Sequence, residues 1–161
     1  MRLALLALLT PTVAAAEPLW AAEVRAGYGV SMSSSSGMLG ARTSPLTLGA
    51  NVAVATRVDP PLSVVGGLFV EALDRTSVGV NAGLRLTVAD SLRLTGGVAT
   101  VVAPYTLWGA TLAAGTCLRT SAKMSLCGDV ELTSYLAGND LPEDGAVTQV
   151  QLIGAVRFDA P

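Results

Sequence analysis

Histidine is absent from the 161 residues, and lysine occurs once, at Lys123. Without an imidazole the chain cannot build a Ser–His or Cys–His couple, the usual way to activate those nucleophiles. Two cysteines, Cys117 and Cys127, are too few for a structural zinc centre, and no Cys/His ligand spacing exists. No metal and no cofactor is therefore expected. Charge is scarce, at 14% of residues, and nearly balanced, with 12 Asp and Glu against 10 Lys and Arg. The basic patch of a nucleic-acid binder is missing, so no nucleic-acid partner is expected. Beyond the N-terminus no apolar run approaches the ~20 residues that a membrane-spanning helix needs. The glycines, 17 in number, nowhere open a helix after a strand, which rules out the Gly-rich phosphate loops.

What is present begins with "MRLALLALLTPTVAAAEP": one positive charge at Arg2, an apolar run from Leu3 to Leu9, and small residues Ala14, Ala15 and Ala16. That is the layout of a secretory signal peptide, expected over residues 1–16. Pro11 and the shortness of the run argue against a transmembrane anchor. Residues 17–161 are then one domain, exported, with 9 basic residues left against 12 acidic ones.

That domain alternates. In "EVRAGYGVS" (Glu23–Ser31) the even positions Val24, Ala26, Tyr28 and Val30 are apolar, while Glu23, Arg25, Gly27, Gly29 and Ser31 occupy the odd ones. A period of two is the signature of a β-strand with unlike faces. It recurs and predicts strands near 21–32, 46–58, 63–73, 77–88, 92–102, 107–120, 124–136 and 147–158. The connections Asp59–Leu62, Ala89–Ser91 and Ser121–Lys123 are short, whereas Ser33–Ser44 and Gly138–Gly145 are long. Within the strands the even face has no charged residue; the odd face holds Glu23, Arg25, Arg57, Glu71, Arg85, Arg93, Arg119, Asp129, Glu131 and Arg157.

Two architectures use such strands. A soluble barrel turns the apolar face inward and a membrane barrel turns it outward. The odd face is mostly Gly, Ala, Ser and Thr, and not the Lys and Glu of a soluble exterior. Small residues suit the narrow interior of an eight-stranded barrel. On this reading the fold is all-β: an eight-stranded antiparallel up-and-down transmembrane β-barrel, with the ten charges of the odd face in its lumen. Trp20, Tyr105, Trp108 and Phe158 fall near strand ends, where aromatic girdles meet the membrane interfaces.

The pattern resembles the small eight-stranded outer-membrane barrels of the OmpA transmembrane-domain and OmpX type. The final strand, "QVQLIGAVRF" from Gln149 to Phe158, carries the resemblance most closely, with Val150, Leu152, Val156 and Phe158 on alternate positions. The resemblance implies that Phe158 is an assembly signal read by the barrel-assembly machinery. It departs from that family in the tail Asp159–Pro161, which sets Phe158 three residues before the end. Location in the outer membrane of a Gram-negative bacterium, among its lipids, follows from the same resemblance and the export signal.

Three finer expectations come from the turns. With "SAK" as a hairpin loop, Cys117 lies directly opposite Cys127, within reach of a disulfide in an oxidising compartment. If Val101 faces Leu107, Arg93 shares a level with Gly115 and Asp129, and Arg85 with Ala113 and Glu131; two Arg–carboxylate pairs are then expected across the small residues. The serine run Ser33–Ser36 reads as a solvated hairpin tip. Asp129 and Glu131, two apart on one face, could serve carboxylate chemistry, but counter-ions to luminal arginines are the simpler reading. Function is accordingly expected to be non-enzymatic, envelope-structural or surface-binding, with any protein partner unknown. A soluble exported barrel for an apolar ligand and a narrow pore are the alternatives.

Overall fold

The computed structural model describes residues 19–35, 38–43, 46–55, 62–72, 76–88, 91–141 and 145–160. The expected signal peptide, residues 1–16, and Arg57 lie outside the described residues. Every long element is a strand: β1 Leu19–Ser35, β2 Met38–Thr43, β3 Leu46–Ala55, β4 Leu62–Ala72, β5 Ser77–Val88, β6 Leu92–Ala103, β7 Leu107–Arg119, β8 Met124–Gly138 and β9 Ala146–Ala160. Neighbours pair antiparallel in the order β1-β3-β4-β5-β6-β7-β8-β9, and β9 returns to pair with β1. The sheet is closed, with eight staves.

The ninth segment corrects an expectation. The stretch Ser33–Ser44 was expected to be a loop, yet Ser33–Ser35 and β2 are strand. β2 and β3 lie along the same edge of β1, β2 opposite Val30–Ser35 and β3 opposite Leu19–Gly27. Ser33 and Ser34 also pair with Val147 and Ala146 on the other side. Ladder bonds use the backbone alone, so a serine run inserted between two strands satisfies its amides there despite weak β-propensity. The result is a hairpin standing above the barrel at the end away from the chain termini.

Register explains the faces. From Glu23 the pairs run Asn51, Gly67, Asn81, Ala99, Gly109, Tyr135 and Val147, and arrive back on β1 at Ser33, ten residues on. Such a stagger over eight strands tilts them by about 40°. Ten residues at ~3.4 Å then climb roughly 26 Å, the height of an outer-membrane apolar band. Every pair on this circuit joins residues of the same parity, so odd positions stay inside from stave to stave. Trp20 and Phe158 project outward at the termini end, and Trp108 near the other.

The outer face is dominated by apolar side chains: Leu84, Val98, Leu112, Val130 and Leu152 are among 28 large hydrophobics left exposed among the described residues, Leu152 by 70%. A continuous belt of this kind far exceeds the apolar patches that water-soluble monomers tolerate. Three of the polar groups on it are satisfied locally. Thr100 Oγ1 donates to Leu107 O at 2.8 Å, and Ser134 and Thr148 share a hydrogen bond of 3.0 Å. Hydrocarbon solvent demands that.

Room inside is made by glycines opposite large luminal side chains. Gly79 faces Phe69 across β4 and β5, and a Cβ there would come within 2.1 Å of the ring. Gly115 does the same for Asp129.

Candidate functional site: the lumen

From the termini end upward, the lumen opens on Ala21, Ala53 and Val65, a small apolar cluster. Above it lies an ionic layer centred on Glu23, whose side chain is 2% exposed. Arg85 crosses the lumen from β5 and grips it with two bonds, Nη1 to Oε1 at 2.5 Å and Nη2 to Oε2 at 3.0 Å. Arg93 on β6 donates Nη1 to the same Oε1 at 3.0 Å, and turns Nε to Asp129 Oδ1 at 2.7 Å with Nη2 on Asp129 Oδ2. Arg157, the neighbour of Glu23 on β9, stands 3.9 Å from it and bonds Asp159 at 2.7 Å. One carboxylate thereby braces β1 against β5, β6 and β9, and Arg93 extends the brace to β8.

Arg93, Gly115 and Asp129 do share a register row, and Arg93 meets Asp129. The second expected pair is corrected. Arg85, Thr95, Ala113 and Glu131 share a row, but Glu131 takes Arg25 at 2.6 Å, and Arg85 goes to Glu23. Arg25 projects from β1 over Gly49 and so reaches across the lumen to β8. Asp129 and Glu131 therefore face separate arginines and do not combine into a carboxylate couple. Arg119 is a further correction: it is exposed and donates to Ser121 O and Ala122 O at 3.2 and 2.9 Å. As the last residue of β7 it lies beyond the enclosed lumen, where turn carbonyls are nearer than any carboxylate.

Higher up, Gln149 and Gln151 on β9 cross to β3 and β4. Gln151 Nε2 donates to Thr47 Oγ1 at 2.9 Å, and Gln149 Nε2 to Glu71 at 3.5 Å. Ser77 Oγ donates to Glu71 at 2.8 Å. The glutamines were not singled out from sequence, although their odd numbers in the last strand carried the signal. The far end is closed by Phe69, Val101, Leu107 and Tyr135, against which Tyr105, Leu141 and Val147 pack. Between these layers lies a cavity of about 50 Å³, room for three or four waters.

Cys117 and Cys127 sit opposite one another and are joined by a disulfide, near the turn at the termini end. Alkylated without reduction, the protein should carry no label on either cysteine, and two labels after reduction. Because the bond encloses a short loop, C117A/C127A should lose less than about 3 kcal/mol in urea unfolding.

An apolar exterior, a closed sheet and a charged, braced interior define an eight-stranded antiparallel transmembrane β-barrel, the architecture of small outer-membrane proteins. No family model matches the chain, and no curated protein matches it. Among solved structures the chain is similar to Neisserial surface protein A, at 13% identity over 86% of this chain and 96% of that one, TM-score 0.47. It is similar too to Ail, the attachment invasion locus protein of Yersinia pestis, at 15% identity over 86% and 98% of the two chains, TM-score 0.47. A structure of Ail with the heparin analogue sucrose octasulfate matches at 16% identity over 86% and 99%, TM-score 0.46.

Proposed function

We propose that this protein is a non-conducting, non-enzymatic barrel of the Gram-negative outer membrane, serving an envelope-structural or surface-binding role. The observation that carries this reading is the filled lumen. An ionic layer and an apolar layer of Phe69, Val101, Leu107 and Tyr135 lie in series, with a cavity of about 50 Å³ between them. No ion crosses such a stack without breaking buried salt bridges and entering an apolar plug. The absence of histidine, and the engagement of Asp129 and Glu131 by arginines, supports the non-enzymatic part.

Export through residues 1–16 and capture by the barrel-assembly machinery through Phe158 complete the reading. Phe158 is the outward aromatic of β9 at the termini end, where a closing strand would be recognised. That end then faces the periplasm. The opposite end raises the hairpin of β1 and β2 outside the cell, the natural place for surface binding.

Two measurements test it. The protein should fractionate with outer membranes and migrate faster on gels unboiled than boiled, and planar bilayers containing it should show no stepwise conductance. Recovery from the soluble periplasm, or reproducible unitary currents, would overturn the assignment.

A further inference from the structure

Every carboxylate of the ionic layer has an arginine: Glu23 has Arg85 and Arg93, Asp129 has Arg93, Glu131 has Arg25 and Asp159 has Arg157. Glu71 is the exception. It is 5% exposed, and its bonds come from two neutral groups, Ser77 Oγ and Gln149 Nε2. Among the described residues no lysine or arginine lies within salt-bridge distance of it. A buried carboxylate without a counter-charge is costly enough that something neutralises it.

The cavity supplies the space. Beside Glu71 its walls are Thr47, Thr133, Tyr135 and Gln149, side chains that offer hydroxyl and amide oxygens. It continues down to Asn51 and Asn81, whose Oδ1 atoms are buried with no hydrogen-bond partner. Arg25 and Arg85 line it as well; Arg85 is committed to Glu23 and Arg25 Nη2 to Glu131, while Arg25 Nε is buried with no hydrogen-bond partner. One carboxylate among neutral oxygens is hard-donor chemistry with a single negative charge to balance.

We propose that the luminal cavity is a monovalent-cation site, with Glu71 as its counter-charge and two or three waters completing the shell and reaching the orphaned Asn51 and Asn81 carbonyls. The cation belongs to the resting barrel. Held between the apolar plug and the ionic layer, it supplies charge balance and does not pass through.

The test compares folded protein in sodium, potassium and N-methylglucamine chloride at equal ionic strength, the last cation being too large for the cavity. Wild type should unfold about 3 °C higher in sodium or potassium, the shift for a ligand at roughly ten times its Kd. E71Q keeps an acceptor for Ser77 and should lose the cation response while remaining heat-modifiable on gels. Identical midpoints in all three salts would overturn the proposal, as would an E71Q barrel that still responds. Wild-type stability that ignores the cation but falls with rising pH, in a manner E71Q abolishes, would assign the charge balance to a proton instead.

Discussion

Glu23→Ala should destabilise the barrel by about 3–5 kcal/mol, the usual cost of removing one partner from a buried ionic cluster. Two arginines, Arg85 and Arg93, would be left facing each other's charge at side-chain exposures of 5% and 3%. Only Asp129 would remain to compensate them. Urea unfolding in lipid vesicles reads the effect, with Asp159→Ala as its internal standard. The Arg157–Asp159 pair is 23% and 38% exposed at its two side chains, and such pairs contribute about 1 kcal/mol or less. E23A/R85A should recover part of the loss, because it removes a stranded cation together with its anion. Equal costs for E23A and D159A would show that Glu23 does not brace the lumen.

The centrality of Glu23 was not legible from the turns. Short loops fix the registers of β5 with β6 and of β7 with β8, and adding one facing pair, Val101 with Leu107, aligns all four strands. That local frame correctly puts Arg93 beside Asp129. It leaves Arg85 with Glu131 as its nearest visible carboxylate, because β1 is not yet in the frame. Closure changes the answer. The ten-residue stagger brings the start of β1 level with Arg85 and Arg93, across the lumen and 62 and 70 residues away in sequence. A partner choice made through barrel closure is a property of the whole circuit of registers, and no single hairpin contains it.

Sidedness was far more legible, because parity survives the fold. Each ladder between the eight staves pairs odd with odd over most of its length, and the shifts fall at Val78/Gly79 and Trp108/Gly109, close to strand ends; the β1–β2 ladder alone pairs odd with even. The alternation at Glu23–Ser31 thus speaks for a whole wall. The same rule set Cys117 against Cys127. What alternation could not show is where strands stop: β1 runs three residues past Met32, and Met38–Thr43 becomes strand although it lacks a clear two-residue period. Pairing with a strand already in place decides such segments, and side-chain pattern does not. Glu71 looked like any other luminal charge on the odd face. That no described cation faces it emerges only once Arg25, Arg85, Arg93 and Arg157 have taken their partners.

The outward face leads to the remaining expectation. Leu84→Arg should cost about 2–4 kcal/mol when the barrel is unfolded from lipid vesicles, because Leu84 is outward, 54% exposed, and about midway between the two aromatic ends. Depth is the essential variable. Leu118 is outward and more exposed, at 70%, but it lies next to the end of β7, close to the termini-side interface. Arg there can extend its guanidinium to water along its own apolar stem, so Leu118→Arg should cost about 1 kcal/mol or less. Burial in protein predicts no such order, since both side chains are open to their surroundings. Only a surrounding hydrocarbon slab separates them. Equal losses for the two variants would mean that the apolar belt does not face lipid, and the inside-out assignment of the barrel would fall with it.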